Sequence, residues 1–465
     1  MNSATRVVVI ATATVLAGAG GVGAQAGTDI FTLDRAIQYA ADHYPAVRAA
    51  VAQVTATVAG ITVARAAYLP RLDALWQSNR ATANNIFGQV LPQSVIPSLT
   101  GPVLASTSSQ SAWGSATGAL LTWEPVDFGL RKAAISGADA AVAQARAGEA
   151  LTRLEVESAV GLAFLDVVAA ERAAAAAQAD VDRRDVLARS VRVLVDNQLR
   201  PGADASRADA ERAVAQTRLI QSQQVLALAQ ATLARVLGTG GSVRVDGANL
   251  LNRTPEGATG LPNPVIDAHP LAQTRQAAVD AARAQQQVLS RTDLPRLYVQ
   301  SSVFARGSGA NADGTFGGGA DGLGLDRTNW AAGVQIIFPN VFDFSSLHAR
   351  QAAAAATARA EVARQDEARL TIAGERQAAT AMLQAARAVA ANTPVQIAAA
   401  QQSAAQATAR YQAGLASIVE VAEAQSLLAQ SDVQDQVARV DVWRALLVQA
   451  VASGSIDAFL ALARP

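Results

Sequence analysis

The sequence contains one structural unit twice. The tetrapeptide Leu-Pro-Arg-Leu stands at 69–72 and again at 294–297, an offset of 225 positions (294 − 69). Another proline precedes each tetrapeptide proline by 25 residues, at Pro45 (70 − 45) and Pro270 (295 − 270). Self-similarity over this length indicates two copies of a supersecondary unit that pack on each other.

Later matches keep the same order but at a shorter offset. Asp127-Phe128 matches Asp343-Phe344, and Leu199 matches Leu415, each pair separated by 216 positions (343 − 127 and 415 − 199). The nine-residue difference falls between the first Leu-Pro-Arg-Leu and Asp127. At 465 residues the chain exceeds the length at which one hydrophobic core stops growing. The duplication therefore predicts an elongated architecture of two similar halves.

Each half reads as a helix, two strands, a very long helix, a tight turn and a further helix. The predicted organisation is a signal peptide at 1–26, a first repeat at 27–238, a connector at 239–267, a second repeat at 268–453 and a tail at 454–465. The predicted strands are 71–80, 111–123, 296–306 and 329–338. The predicted long helices are 131–196 and 345–410, and the returning helices are 204–238 and 417–453.

The predicted strands are about ten residues long, the length that a tilted strand needs to cross a bilayer. The segment 329–338 alternates best, with Trp330, Val334 and Phe338 on one face. A pair of soluble hairpins remains the alternative from these strands alone. The segment 307–328 between two of them is rich in Gly and Asp, which favours a flexible loop over a calcium-binding repeat.

The segment 131–196 has neither proline nor a plausible break, so as one helix it would extend roughly 100 Å. The segment 345–410 is similar except for Pro394, which predicts a kink. Alanines at a 4-3-4 spacing in the first segment, beginning at Ala134, predict a coiled-coil seam of small residues.

The first 26 residues predict a secretory signal peptide, with a single cation, an apolar stretch and small residues ending at Ala26. A membrane-anchoring helix is the less favoured alternative because the apolar run is short. The chain has no cysteine, so neither a disulfide nor the N-terminal cysteine of a lipid anchor is expected. No other stretch approaches eighteen uninterrupted apolar residues, which predicts that any membrane insertion uses strands.

Charge and chemistry argue against two classes of function. The formal net charge is zero and Lys132 is the only lysine, so no basic surface for nucleic acid is expected. The three histidines, His43, His269 and His348, have no second histidine at ligand spacing, so neither an enzyme nor a metal or other cofactor is indicated. His43 and His269 precede the repeat prolines and are predicted to be structural residues at helix starts.

These segments together resemble the TolC-type outer-membrane efflux protein family, from about residue 31 to residue 453. The segments that carry the resemblance are "FTLDRAIQYAADHYPAVRAA", the two Leu-Pro-Arg-Leu boundaries, Asp127-Phe128-Gly129 and "YQAGLASIVEVAEAQSLL" from Tyr411. The resemblance implies a mixed α/β membrane protein, mostly long helices in a coiled-coil α-barrel, with four strands per chain in a shared trimeric transmembrane β-barrel. It also implies an exit duct through the Gram-negative outer membrane into the periplasm, serving an inner-membrane pump and a periplasmic adaptor in efflux or type I secretion.

Physical reasoning gives a separate argument for assembly. Four strands cannot close a membrane barrel, which begins at about eight, and an open edge in lipid leaves backbone groups unpaired at several kcal/mol each. Two chains would supply eight strands and three would supply twelve, and the resemblance implies a homotrimer. The contrasting hypothesis is a soluble periplasmic coiled-coil scaffold.

The two helix turns are predicted to lie at the periplasmic tip, where the resemblance places adaptor docking. The predicted tip residues are Leu199, Pro201, Gly202, Tyr411, Gly414 and Leu415. The two glycines could equally serve only to allow positive φ at a helix C-terminus.

Three acidic residues, Asp204, Glu420 and Glu423, are predicted to form a channel constriction that favours cations and is blocked by multivalent cations. Glu420 and Glu423 match a ring of aspartates in the family, and the repeat sets Asp204 opposite Glu420 (420 − 204 = 216). A simple helix-capping role is the alternative. The position where some members carry a gating arginine is Ala416 in this chain.

Overall fold

The computed structural model describes residues 30–82, 110–241, 243–247, 250, 264–309, 311, 315–339 and 343–464. The predicted signal peptide lies outside the described residues, as does 83–109 between the first two long strands. The described chain consists of long helices and a four-stranded sheet, which confirms the predicted fold class of long helices with four strands per chain.

The sheet and the helices alternate along the chain in the same order in both repeats. The strands are β1 (Ile30–Phe31), β2 (Arg71–Thr82), β3 (Ser111–Val126), β4 (Arg244–Val245), β5 (Arg296–Ser308) and β6 (Arg327–Ile337). The helices are α1 (Leu33–His43), α2 (Pro45–Ala66), α3 (Leu130–Asp196), α4 (Gly202–Leu237), α5 (Pro270–Leu289), α6 (Phe344–Gln412), α7 (Ile418–Ser453) and α8 (Asp457–Ala463).

The four long strands form an antiparallel sheet in the order β2-β3-β5-β6. The central pair, β3 and β5, joins the two repeats, with Ala119 opposite Val303. The outer strands β2 and β6 come from the first and second repeat respectively. Within the described residues, the sheet therefore ends in two edges that belong to different repeats.

One face of this sheet is apolar and exposed. Its members include Leu72 (69% exposed), Trp76 (71%) and Val303 (63%), with Trp330 (78%) and Val334 (66%) on β6. The pairing of Val303 with Trp330 places the β5 and β6 members on one side. A soluble sheet turns its polar face to water. This sheet instead exposes an apolar face, here called the apolar face, which is typical of strands that contact lipid.

The helices pack side by side in two layers that share α3 and α6. In the layer nearer the sheet the order is α2, α3, α5, α6, and in the layer farther away it is α4, α3, α7, α6. The edges of both layers are again one helix of the first repeat and one of the second. A core of large apolar side chains, including Phe164, Leu446 and Leu447, fills the region where the layers meet.

Two segments predicted as connector and tail contain ordered structure in this core. In the predicted connector, β4 pairs in parallel with β1, and the indole of Trp443 donates to the Leu250 carbonyl at 2.5 Å. The segment 454–465 contains α8, whose Phe459 is fully buried. Both segments are too short for hydrophobic periodicity to reveal them.

The repeat prolines begin helices. Pro45 and Pro270 are the first residues of α2 and α5, where the missing N–H costs nothing. His269 caps α5, because its Nδ1 accepts from the Leu271 N–H at 3.1 Å. The prediction for His43 is wrong: it is the last residue of α1 and stacks on Tyr39, because Tyr44 takes the extended conformation required before proline.

We expect acid to weaken the start of α5. Burial lowers the pKa of His269, and the Nδ1 that caps the helix must be unprotonated to accept. A lowered folded pKa means that the contribution is complete above the unfolded value of 6.5 and is lost as pH falls through the folded pKa. His269→Asn, which caps at any pH, should remove about 1 kcal/mol of this pH dependence, measured by thermal unfolding at pH 7 and pH 5. Equal pH dependence in both proteins would contradict the assignment.

The Asp127-Phe128-Gly129 motif makes the junction between β3 and α3. The Asp127 carboxylate accepts from the Gly129 N–H at 3.0 Å and from the Arg131 N–H and Nε at 2.6 and 2.9 Å. Burial by itself raises the pKa of Asp127, but these hydrogen bonds and the Arg131 charge outweigh it and lower the pKa. Arg131 also donates to the Ala67 carbonyl at 3.0 Å. The motif thus fixes the helix start against the end of α2.

Among the described helices, α2 alone is long and apolar enough to cross a membrane by length and composition. This differs from the expectation of no helical span, which required an uninterrupted apolar run that Arg48 and Gln53 break. The helix packs along α3 at a layer edge, and only 6% of its most apolar window is buried within the chain.

Pro394 lies inside α6, which continues through it from Phe344 to Gln412. The missing N–H of the proline frees the Ala390 carbonyl. The Thr393 hydroxyl lies 3.5 Å from that carbonyl and 2.9 Å from the buried Asp435 carboxylate on α7. The hydroxyl has one proton and donates it to Asp435 in the shorter contact, so Thr393 links α6 to α7 beside the proline.

Candidate functional site at the paired helix turns

The turns that end α3 and α6 have the same backbone geometry. Gln198 and Gly414, equivalent in the repeat (414 − 198 = 216), have φ values of 59° and 81°. The following leucines close the turns in the same way, Leu199 N–H to the Leu194 carbonyl and Leu415 N–H to the Arg410 carbonyl, both at 2.8 Å. Gly202 is the first residue of α4, so the positive φ foreseen at Gly202 belongs to Gln198 instead.

We expect opposite stability changes from matched substitutions in these turns. Gln198→Gly should stabilise the protein and Gly414→Ala should destabilise it, each by about 1 kcal/mol, because a side chain in left-handed backbone is strained. Thermal unfolding of the two variants measures both changes. Two changes of the same sign would show that the turns differ in conformation in solution.

A tyrosine, an aspartate and an arginine join the two turns. The Tyr411 hydroxyl at the end of α6 donates to Asp204 Oδ2 in the first turn of α4 at 2.8 Å. The Arg200 guanidinium lies over the Tyr411 ring, 4.2 Å from its centroid, and donates to the Tyr411 carbonyl. Tyr411 itself is 1% exposed. The two repeats are thus held together at their turns by one buried residue, with two contacts from its side chain and one from its backbone carbonyl.

The tyrosine remains a hydrogen-bond donor at all physiological pH values. Burial, the hydrogen bond to Asp204 and the negative charge of Asp204 raise the pKa of Tyr411 to about 12, although Arg200 opposes the shift. A phenol that keeps its proton beside a carboxylate makes a charge-assisted bond, the stronger class of hydrogen bond.

Arg200 occupies the repeat equivalent of Ala416 (416 − 200 = 216). The family resemblance suggests an arginine at position 416 in the second turn. In this chain the arginine stands instead at the equivalent position of the first turn. Ala416 is buried in the small core beneath the turns together with Ile418 and Val421. Sequence reasoning missed Arg200, although the repeat offset that matched Asp204 with Glu420 would have found it.

The three predicted constriction acids have different surroundings in the chain. Asp204 is half-buried against Tyr411. Glu420 forms a capping box with Ser417 and lies 4.0 Å from Arg410. Glu423 is exposed, and it has no ion pair within the described part of the chain. Capping thus accounts for part of the role of Glu420 but not for Glu423.

Most of the predicted tip residues lie on the surface of the turns. Leu199 is 69% exposed and Leu415 is 71% exposed, and Pro201, Gly202 and Gly414 are also exposed. Tyr411 differs because its ring is buried under Arg200. It supports the turns from inside, while the two repeat-equivalent leucines form the outward surface.

Comparison with known proteins agrees with this architecture. Residues 261–447 match the family described as outer membrane efflux protein. The second repeat is therefore similar to the outer membrane efflux protein family. The match covers the second repeat, and the duplication extends the same unit to the first. No curated protein matches the sequence.

Three solved structures share the fold of this chain. The outer membrane protein VceC of Vibrio cholerae is 18% identical with a TM-score of 0.71, covering 91% of this chain and 96% of its own. The CmeC outer membrane channel of Campylobacter jejuni is 14% identical with a TM-score of 0.71, covering 91% and 85%. The MtrE outer membrane channel of Neisseria gonorrhoeae, in its open state, is 16% identical with a TM-score of 0.71, covering 91% and 89%.

Proposed function

We propose that the protein is the outer-membrane exit channel of an efflux or type I secretion system. The observation that carries this is the four-stranded sheet, which lies at the end of helices that extend far beyond it and has an exposed apolar face and, within the described residues, two unpaired edges. Exposure of such a face to lipid costs little free energy, whereas its exposure to water is unfavourable. The family match over residues 261–447 and the fold shared with solved channels support the same function.

The edges indicate how copies assemble. At the sheet and in both helical layers, one edge belongs to the first repeat (β2, α2, α4) and the other to the second (β6, α6). Contact between unlike edges is heterologous and generates a closed ring when the rotation allows it. Three copies supply twelve strands, within the range of membrane barrels.

Apolar side chains stand on the outer surfaces of the edge helices. Ile220, Val225 and Leu228 of α4 are exposed, as are Met382 and Val389 of α6. A ring of copies would cover both sets, because the first-repeat edge of one copy meets the second-repeat edge of the next. The same contact would cover the apolar surface of α2.

Fractionation and crosslinking test the proposal against the soluble scaffold. We expect the protein to remain in the outer-membrane fraction after osmotic shock, to crosslink in a ladder that ends at three, and to conduct when reconstituted in bilayers. Release by osmotic shock, or full conductance from a detergent-solubilised monomer, would refute it.

In the assembled state, the turns would face the periplasm and meet a periplasmic adaptor that joins the channel to an inner-membrane pump. The exposed Leu199 and Leu415 would provide apolar anchors, and the repeat would present them to two adaptor segments of similar chemistry.

We expect Leu199→Glu together with Leu415→Glu to reduce adaptor binding at least about tenfold, since each burial of a charge opposes binding. Co-purification with the adaptor measures this, and Leu462→Glu in α8, also exposed, is the matched control. Undiminished binding in the double variant would place docking elsewhere, provided that crosslinking shows the same amount of trimer.

A further inference from the structure

The glycine-rich segment between β5 and β6 folds back onto the sheet. The Gly309 N–H donates to the Trp113 carbonyl at 2.9 Å, and the Gly317 N–H donates to the Gly309 carbonyl at 2.9 Å. The chain then turns and returns along the sheet before β6 begins. We call residues 317–325 the flap.

The flap lies on the apolar face. Ser115 Oγ on β3 is 2.8 Å from the Gly322 carbonyl and 3.1 Å from the Leu323 carbonyl, and Ser115 is 7% exposed. Ser115 pairs with Gly307 on β5, where a Cβ would stand 1.8 Å from the Gly324 carbonyl oxygen. Residues four apart on a strand share a face, so Gly307 lies on the same side as the exposed Val303.

The flap also lies at a defined height. The connections from β2 to β3 and from β5 to β6 are at the end of the sheet remote from the helices, which is the extracellular end in the proposed channel. Trp76 pairs with Thr117. Thr117 lies two residues, or about 7 Å, along β3 from Ser115 toward the helices. Trp123 and Phe338 stand exposed at the opposite end of the sheet. Aromatic residues at two levels mark the membrane interfaces of a barrel, so the flap sits at the outer one.

The flap changes the chemistry of the surface that it covers. Without it, the Ser115 hydroxyl and the bare backbone at Gly307 would face the interface. With it, Ser115 has a carbonyl acceptor, and Leu323 (41% exposed) and Leu325 (40%) point outward instead. The flap covers the central strands β3 and β5, so closing a ring through β2 and β6 would leave it open to lipid.

We propose that the flap is a membrane-contacting element whose Leu323 and Leu325 insert among the acyl chains just below the headgroups of the outer leaflet. Interfacial segments bind through apolar side chains buried about 5–10 Å into this boundary. The proposal rests on the proposed function, because it requires the sheet to stand in a membrane.

The absence of cysteine from the chain allows the test to use single labels. Leu323→Cys, with Leu325→Cys as a second position, carries an environment-sensitive fluorophore in channels reconstituted in phosphatidylcholine vesicles with lipids that bear a shallow nitroxide quencher. Ala332→Cys on the apolar face is the positive control, and Leu415→Cys at the turn is the negative control. We expect the labels at 323 and 325 to be quenched and the label at 415 not to be, because an interfacial segment lies only about 5–10 Å deep in this boundary, and we expect Ser115→Ala to reduce the quenching.

Each outcome decides between the two claims. Quenching at 332 but not at 323 and 325 would overturn the flap proposal alone, whether those labels are reached by aqueous iodide or covered by protein. No quenching at 332 would overturn the membrane insertion of the sheet and the flap proposal with it. Crosslinking to a trimer shows that each labelled variant has folded.

Discussion

Replacing Asp204, Glu420 and Glu423 by Asn, Gln and Gln should abolish the cation preference of the reconstituted channel. Each copy loses three negative charges at the turns, and the charges of three copies would add in one narrow opening. We expect the cation-to-anion permeability ratio to fall roughly tenfold toward no preference, and block by multivalent cations from the turn side to disappear. Bilayer recordings in a salt gradient measure both.

The amide replacements separate charge from structure. Glutamine at position 420 can keep the capping box with Ser417, and asparagine at 204 can still accept from Tyr411. The single variant Glu423→Gln tests the one acid that is exposed and outside a cap. Matched neutralisation of Glu367, away from the turns on α6, should leave selectivity unchanged. Persisting selectivity and block in the triple variant would place the constriction elsewhere.

Tyr411→Phe should favour the open state of the channel at the helix turns. The substitution removes the bond to Asp204 and leaves that carboxylate half-buried without its donor. A hydrogen bond to a charged group contributes about 1.5–3 kcal/mol, which corresponds to about a ten- to hundredfold change in an equilibrium that breaks it. We expect the open fraction in single-channel recordings to rise by a factor in that range.

Tyr39→Phe is the matched control, because it removes a hydroxyl from α1, where the ring packs against Phe31. Arg200→Gln should shift the channel in the same direction as Tyr411→Phe, since it removes the cation over the ring. If Tyr411→Phe left the open fraction unchanged while Arg200→Gln raised it, the tyrosine would be a packing residue and the arginine the closing element.

Local signals in the sequence were sufficient for the fold. Proline at 70 and 295 ends one helix and starts a strand, and alternation at 329–338 reveals the exposed face of β6, because these effects act within a few residues. Because the unit is repeated, each of these signals occurs twice in the sequence. Three of the described strands extend beyond the predicted ones, for example to Val126 in β3 and Ser308 in β5, whereas β6 begins two residues earlier and ends one residue earlier than predicted.

Contacts between distant residues could not be predicted in the same way. Tyr411 and Asp204 were each predicted at the turns, but nothing in the sequence pairs a phenol with a carboxylate 207 positions away. The flap depends on Ser115 and Gly322, which are also 207 positions apart. Gln198 took the left-handed position because the tertiary structure imposes on it a backbone that glycine adopts in the other repeat.

The unlike edges of each copy have a consequence for biogenesis. Among the described residues, the outer edges of β2 and β6 have no partner strand, so a single copy, or a proposed pair, would leave two edges open, and each backbone group left unpaired in lipid costs several kcal/mol. In the proposed trimer, an incomplete ring would therefore be unstable in the bilayer, because its edge groups are unpaired, and unstable in water, because its apolar face is exposed. We expect ring closure and membrane insertion to be coupled for this reason, so a factor that holds the edges apart would arrest both.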